Sequence, residues 1–319
     1  MKSGGLIVLG FCAGFYLKTV SINTAPQISY IKENSSDYKF TSPILYRETN
    51  KAVYPEYKDL EKRINAYISS TTSAGNADQV SVYYNDLNSK MWTGIGENER
   101  YNPGSMLKVA VAIGYLRLAE NDPTVLSKQL YYTKTIDPGQ YYKPENQLNT
   151  GNYTIEQLIN SMIINSDNEA TIVLVQNDPK SYIAVQNELN LPKATDNPDA
   201  VDFMSAKQYS SIFRVLYNST YLDKKISNSI LNLLSQATFK QGLVAGVPSN
   251  IIVSHKFGEH TEETYSGVIS SRELHDCGIV YFPEKPYFLC VMTKGKDFSK
   301  LEFVISDISK LVYDDVDNN

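Results

Sequence analysis

The chain has 319 residues, of which 20% are charged, and its formal net charge is −5. This length and apolar content suit one large domain or two small ones with a sizeable core. The acidic balance offers no basic surface that would attract nucleic acid, and the 24 tyrosines are scattered rather than interleaved with Lys and Arg. The composition therefore argues against a nucleic-acid-binding protein.

The amino-terminal residues have the pattern of an export signal. An uncharged run over 3–17 is flanked by Lys2 and Lys18. Its length fits the apolar region of a signal peptide and is short for a membrane-spanning helix. We predict that 1–20 is a signal or membrane-anchor segment, cleaved or retained. We also predict that 21–56 is a polar linker and that the protein lies outside the cytoplasm, secreted or tethered to the membrane.

The remaining chain, 57–319, is predicted to form one domain that begins with a helix and a hairpin. Apolar spacing indicates an amphipathic helix over 60–68. Two strand-like segments follow at 79–85 and 91–95, joined by a turn. The run 109–116 is apolar on every side, which predicts a helix buried all round.

The middle of the chain reads as mostly helical, and the last third returns to strands. Thr154 and Gln157 form a capping-box pattern at the start of one helix. Strands are predicted at 251–256, 267–269, 276–282 and 287–292, and a closing amphipathic helix over 301–312. We therefore predict an α/β (α+β) fold in which an antiparallel sheet of about five strands, built from both ends of the domain, is flanked by helices. A helical subdomain over about 105–240 is inserted in it.

The cysteines and histidines show no recognisable ligand spacing. They are Cys12, Cys277, Cys290, His255, His260 and His275. No C-x-x-C pair is present among them, and no histidine pattern typical of zinc. We predict no metal site, no other cofactor and no disulfide framework.

Ser105 and Lys108 lie three residues apart where the buried helix begins, so they share one face. A lysine at the head of a buried helix must find a partner or lose its proton more easily. A neutral amine beside a hydroxyl can activate that hydroxyl as a nucleophile. Taken alone, the pair has an ordinary alternative, in which the serine caps the helix and the lysine extends to solvent.

Three short motifs that follow one another along the chain favour the activated serine over the capping alternative. They are Ser105-Met-Leu-Lys108, Ser166-Asp-Asn168 and Lys256-Phe-Gly258. Ser-x-x-Lys, Ser-Asp-Asn and Lys-Thr-Gly are the signature of class A β-lactamases and penicillin-binding proteins. Each motif also lies on its expected element: a buried helix head, an interhelical loop and a strand. The chain resembles this superfamily over about 57–316.

The resemblance implies an acyl-transfer site. Ser105 would be the nucleophile, Lys108 the amine that activates it, and Ser166 the hydroxyl that passes a proton to the leaving nitrogen. Two cations beside two hydroxyls would favour an anionic substrate and a deprotonated serine.

The resemblance also implies a set of substrate contacts. Asn168 would bind the amide of the acyl side chain, and Lys256 would bind the substrate carboxylate. The oxyanion hole would consist of the N–H groups of the nucleophile and of Glu259, which follows Gly258. Phe257 departs from the pattern, because the family has Thr or Ser there. A hydroxyl contact to the carboxylate is therefore missing, and we expect the ring near the pocket edge.

A second departure concerns deacylation. Class A enzymes place a glutamate between the second and third motifs to activate the deacylating water. The matching stretch, 177–203, offers Glu188, Asp196, Asp199 and Asp202, none in the family's Glu-x-x-Asn setting. Glu188 is expected on a solvent-facing helix. Asp199 or Asp202 could serve as the base, although capping of the next helix is the favoured role. We therefore expect slow deacylation.

Three functions remain open at this point. The first is an exported serine hydrolase related to class A β-lactamases, acting on β-lactams or related acyl substrates. The second is a DD-carboxypeptidase-like penicillin-binding enzyme that acts on cell-wall peptides. The third is a catalytically inactive binding module on the same fold. The presence of all four reactive residues, Ser105, Lys108, Ser166 and Lys256, argues against the third.

Overall fold

The structure is a computed structural model that describes residues 30–32, 39–41, 44–47, 57–135, 140–194, 201–264 and 267–318. The predicted signal or anchor segment, 1–20, lies outside these residues, as do Asp196 and Asp199. Among the helices that the structure describes, none is long and apolar enough to cross a bilayer.

The elements follow the predicted order, with some additions. The strands are β1 (Tyr30–Lys32), β2 (Ile44–Arg47), β3 (Gln79–Asp86), β4 (Trp92–Ile95), β5 (Arg100–Tyr101), β6 (Gln129–Tyr132), β7 (Gly151–Thr154), β8 (Met204–Ser205), β9 (Val253–Glu263), β10 (Ile269–Val280) and β11 (Tyr287–Gly295). The helices are α1 (Lys58–Ser73), α2 (Lys108–Asn121), α3 (Ile155–Ile164), α4 (Asn168–Asn177), α5 (Pro179–Glu188), α6 (Ala206–Tyr217), α7 (Lys224–Leu234) and α8 (Phe298–Asn318).

The central sheet has five strands in the order β4-β3-β11-β10-β9, and every neighbouring pair is antiparallel. This confirms the predicted fold class. Strands from the two ends of the domain meet where β3 pairs with β11. The edge strand β9 pairs only with β10 in this sheet, so one side of its backbone is available to the neighbouring site.

The sheet is buried on both faces, as β11 shows. Phe288, Cys290 and Met292 belong to the apolar cluster shared with α2, α3, α6 and α7. Leu289 and Val291 belong to a second cluster formed with α1 and α8. Successive side chains of a strand point to opposite faces, so a strand covered on both sides reads as a continuous apolar run.

Two parts of the secondary structure differ from the prediction. β10 is one long strand, where the sequence predicts two short ones at 267–269 and 276–282. Its polar first half pairs with the outer half of β9, and Arg272 lies opposite Thr261. The small β6–β7 hairpin inside the helical subdomain was not predicted, because segments this short carry little periodic signal.

The prediction of no disulfide framework is wrong for one pair. Cys277 on β10 and Cys290 on β11 are direct cross-strand partners and are joined by a disulfide. The two cysteines lie 13 residues apart in sequence, a separation with no signature of its own. Only the register of the hairpin places them opposite each other.

The segment predicted to be a polar linker includes an anchored residue. Phe40 is 5% exposed and belongs to the main apolar cluster. Its N–H donates to Asn228 on α7 at 2.9 Å, and its carbonyl accepts from the Tyr281 hydroxyl at 3.1 Å. The rings of Phe40 and Tyr281 also pack edge to face, with centroids 5.3 Å apart. At this point the segment is part of the folded body.

Candidate active site

Ser105 lies in a 3₁₀ turn over Gly104–Leu107, one turn before the point where α2 begins at Lys108. Gly104 takes the left-handed backbone conformation, with φ 50°. Its N–H donates to the Asn102 side chain at 3.0 Å, which shapes the turn. Ser105 and Lys108 remain neighbours along one helical path, although Ser105 is not the N-cap that the alternative interpretation required.

Two glycines allow β9 to approach this turn closely. A β-carbon added to Gly258 would lie 2.2 Å from the Pro103 carbonyl oxygen and 2.8 Å from Met106 Cγ. One added to Gly104 would lie 2.4 Å from the carbonyl oxygen of Glu259. The glycine of the third motif is therefore needed because strand and turn meet backbone to backbone.

Lys108 joins the first motif to the second. Its Nζ, which is buried, donates to Ser166 Oγ at 3.1 Å, to Ser166 O at 2.7 Å and to Asn168 Oδ1 at 2.6 Å. Ser166 is itself buried and has φ 55°, a left-handed conformation that is costly for a residue with a side chain. In this conformation the Ser166 hydroxyl contacts the Lys108 amine.

Lys256 brings the third motif to the same hydroxyl. Its Nζ, on a residue only 1% exposed, donates to Ser166 Oγ at 2.9 Å and to Phe257 O at 3.1 Å. Burial lowers the pKa of Lys256 well below its usual value, and the charge of Lys108 lowers it further. One serine oxygen thus lies between two amines.

The loop that carries Ser166 is held by a residue to which the sequence analysis assigned no role. Asp167 is fully buried and caps α4, accepting from Ala170 N at 3.2 Å. Its second oxygen accepts from Ser161 Oγ at 2.8 Å and from the Tyr132 hydroxyl at 3.1 Å. Three residues on three elements therefore hold the second motif in place through Asp167.

An open cleft of about 860 Å³ runs past these groups. Ser105, Lys108, Asn168 and Glu259 line it. The first two motifs thus line the cavity through Ser105, Lys108 and Asn168. Ser166 and the third motif are not among its lining residues, and Lys256 joins the other two motifs through the Ser166 hydroxyl.

Nearly all of the described domain matches a known protein family. Residues 59–316 match the family model described as the β-lactamase enzyme family. The chain belongs to this family. No curated protein sequence matches the chain at a significant level.

Solved structures with the same fold include both β-lactamases and a penicillin-binding protein. TLA-3 extended-spectrum β-lactamase is 18% identical, with a TM-score of 0.67, covering 80% of this chain and 98% of its own. A β-lactamase from Chitinophaga pinensis is 16% identical, with a TM-score of 0.65 and coverages of 81% and 100%. A mutant of PBP-A, as an acyl-enzyme complex with penicillin G, has the same identity and TM-score, with coverages of 82% and 98%.

The Phe257 ring lies beside the site, with its centroid 4.2 Å from Lys256 Nζ, but does not form part of the cleft wall. It is 5% exposed. Its ring stacks on Phe239 at 4.3 Å between centroids and meets Tyr142 edge to face at 5.5 Å. The ring belongs to the second apolar cluster, and its departure from the β-lactamase family's pattern removes a hydroxyl without narrowing the cavity.

The candidate deacylation bases within the described residues have other partners. Asp202 accepts from Lys294 Nζ at 2.6 Å and does not line the cleft. It does not cap α6 either, because that role belongs to Ser205. Glu188 lies on the exposed surface of α5, as expected, and accepts from the Tyr221 hydroxyl at 2.6 Å.

Gln140 is a cleft residue that the sequence analysis did not single out. It is buried, and its amide contacts both Asn168 and the carbonyl of Ser166. The surrounding sequence predicts an aromatic loop but gives no signal for this contact, since Gln140 lies 26 residues from Ser166 and carries no charge.

A buried carboxylate supports the chain just before the turn that carries Ser105. Glu273 is 1% exposed, accepts from Asn102 N at 2.9 Å and pairs with Lys294 at 3.0 Å. Burial alone would raise the pKa of Glu273. Hydrogen bonds and charges from His275 and Lys294 outweigh burial and lower the pKa to about 2.

This depressed pKa predicts a loss of stability in acid. Because the folded pKa lies below the unfolded value of about 4.3, Glu273 stabilises the protein above that pH. The contribution, on the order of 3 kcal/mol, is lost as pH falls towards 2. We expect Glu273→Gln to lower the thermal midpoint at pH 7 and the difference from wild type to shrink between pH 5 and pH 3. Glu145→Gln, at an exposed site, is the control. An equal difference at both pH values would contradict the assignment.

Proposed function

We propose that this protein is a serine hydrolase that is acylated on Ser105 by β-lactams or related acyl substrates and deacylates slowly. The observation that carries the proposal is the position of Ser166 Oγ, 3.1 Å from Lys108 Nζ and 2.9 Å from Lys256 Nζ, beside the cleft that Ser105 lines. A hydroxyl held by two amines can relay a proton that one of them has taken from a nucleophile.

The proposed acylation balances within these residues. Ser105 Oγ attacks the carbonyl carbon, and its proton passes to Lys108 Nζ, which must first have lost a proton to accept it. The C–N bond of the substrate breaks as the leaving nitrogen takes the proton of Ser166 Oγ, and Lys108 returns a proton to Ser166. The N–H groups of Ser105 and Glu259, on the closely packed turn and strand, would bind the developing oxyanion.

The proposal of slow deacylation rests on how the carboxylates are used. The described carboxylates that line the cleft belong to Glu259 and Glu263. Both oxygens of Glu259 accept main-chain N–H groups, and Glu263 lies at the outer end of β9. Asp202 pairs with Lys294. Losing a positioned general base costs about 10²–10⁴ in rate, which would leave the acyl-enzyme long-lived.

A second candidate is a DD-carboxypeptidase-like enzyme acting on cell-wall peptides. The cleft continues along the outer arm of β9 and β10, where His260, Thr261 and Ile269 line it. β9 is an edge strand, so an extended peptide could pair with its free backbone groups. The extension of the cleft along these strands favours a peptide as the natural acyl donor and a β-lactam as its mimic.

We also propose that the protein works outside the cytoplasm, tethered by or exported through its amino-terminal segment. The Cys277–Cys290 disulfide supports this proposal, because such bonds persist mainly in oxidising compartments. Fractionation of cells expressing a tagged full-length chain tests it. Recovery in the soluble cytosol would contradict it.

The acylation proposal is tested with a fluorescent penicillin and a chromogenic cephalosporin. We expect a persistent adduct that maps by peptide mass spectrometry to Ser105, with little or no colour. Rapid colour would instead show an efficient β-lactamase, and cell-wall peptide turnover with a persistent adduct would favour the second candidate. Heat-denatured protein is the control for non-specific labelling. An adduct on another residue, or none, would contradict the proposal.

A further inference from the structure

The Glu259 carboxylate binds the main chain of a loop on the other side of the cleft. Its Oε2 accepts from Tyr141 N at 3.0 Å, and its Oε1 accepts from Tyr142 N at 3.1 Å. One carboxylate thus receives two consecutive main-chain N–H groups from a loop more than 100 residues away in sequence. Burial raises the pKa of the Glu259 carboxyl, and the N–H groups of Tyr142 and Tyr141 oppose that rise. These two N–H groups therefore stabilise the charged form of the carboxylate that binds them.

The loop depends on this carboxylate. Neither N–H, at Tyr141 or Tyr142, has a main-chain acceptor among the described residues. Tyr141 is 50% exposed and Tyr142 is partly buried, so the carboxylate matters most for the Tyr142 N–H, which would be costly to leave without a partner. The Tyr142 side chain adds a separate attachment, since its hydroxyl donates to Glu302 on α8 at 2.5 Å and its ring packs against Phe298.

The residue before these two N–H groups touches the second motif. Gln140 Oε1 accepts from Asn168 Nδ2 at 3.4 Å, and Gln140 Nε2 donates to Ser166 O at 3.5 Å. Asn168 Oδ1 is already bound to Lys108, so its amide group faces Gln140. Both Gln140 contacts are long, and their geometry therefore depends on where the loop is held.

We propose that Glu259 is a positioning residue whose carboxylate fixes the loop 140–142 across the cleft and thereby holds Gln140 against Asn168 and Ser166. The side chain that follows the third motif would thus orient the second motif, in addition to the main-chain role proposed for Glu259 in the oxyanion hole. Only the expected effect on the acylation rate rests on the proposed function. The attachment of loop 140–142 by the Glu259 carboxylate, called the clasp below, does not depend on it.

Three variants separate this role from the alternatives. Glu259→Ala removes both acceptors. Glu259→Gln keeps the volume and one acceptor oxygen, so it tests the clasp even if the alanine variant folds poorly. Tyr142→Phe is the matched control, because it removes the hydroxyl bond to Glu302 but leaves the ring and both main-chain N–H groups.

The first readout needs no substrate. In Glu259→Ala, we expect hydrogen exchange of the Tyr141 and Tyr142 amides to accelerate by about tenfold or more, since a hydrogen bond to a charged group is lost at each. In Glu259→Gln, we expect one of the two amides to accelerate. The side-chain amide resonances of Gln140 and Asn168 should shift in both variants. Unchanged exchange in Glu259→Ala, or unchanged Gln140 and Asn168 signals, would overturn the proposal.

The second readout is the rate of Ser105 acylation by fluorescent penicillin. We expect Glu259→Ala to lower it about tenfold or more through the chemical step, Glu259→Gln to lie between it and wild type, and Tyr142→Phe to match wild type. Equal rates in wild type and Glu259→Ala would also overturn the positioning role. If wild type is not acylated while the exchange results hold, the proposed acylation fails and the clasp stands.

Discussion

Replacing Lys108 with methionine is expected to slow acylation of Ser105 by about 10²–10⁴-fold, the usual contribution of a positioned general base. The amine is the group in contact with both Ser166 Oγ and Asn168 Oδ1, so its loss removes the proton acceptor and the link between the first two motifs. Methionine keeps much of the side-chain volume. The rate of adduct formation with fluorescent penicillin, followed by intact mass, measures the effect.

The control for this prediction is another lysine of the same cleft. Lys143 lines the cavity but lies outside the three motifs, so Lys143→Met should change the acylation rate only a few-fold. Thermal midpoints should show that both variants are folded. Labelling of Lys108→Met at the wild-type rate would mean that another group activates Ser105.

Replacing Gly258 with alanine is expected to abolish most labelling while leaving much of the sheet intact. The new methyl group would lie 2.2 Å from the Pro103 carbonyl oxygen, so strand β9 and the turn that carries Ser105 must separate. Overpacking of this kind costs about 1–3 kcal/mol of stability. A shift of about 1 Å between nucleophile and oxyanion donors costs about 10²-fold in rate.

Gly151→Ala provides the comparison for this change. A β-carbon at Gly151 meets only the Tyr153 ring at 3.8 Å, an ordinary contact. We expect a thermal midpoint and a labelling rate close to wild type for this variant. If Gly258→Ala were labelled as fast as Gly151→Ala, the close approach of strand and turn would not matter for acylation.

Periodic apolar patterns predicted the frame of the fold well. The predicted run 109–116 is buried on every side from Val109 to Tyr115 in α2, and the strand-like runs near both ends of the domain pair in one antiparallel sheet. The Thr154 capping box is present at the start of α3. Such features succeed because they depend on neighbours within a few residues, where spacing alone decides which face is covered.

The three motifs likewise indicated which residues form the candidate site. The residues that surround them could not be predicted, because those contacts join parts of the chain that are distant in sequence. The pairing of Glu259 with Tyr141 spans 118 residues, and the Cys277–Cys290 bond depends on hairpin register. Phe257 was expected at the cavity edge because its position in the motif was known while its packing partners were not. Phe239 and Tyr142, which bury it, belong to two unrelated loops.

Phe40 extends the folded unit beyond the part of the chain that the family model recognises. The match begins at residue 59, yet this ring fills a place between α7 and Tyr281 in the main core. A recombinant fragment cut at the family boundary would leave that place open to water and unpair the side chain of Asn228. A stable fragment of the folded domain should therefore start before Lys39.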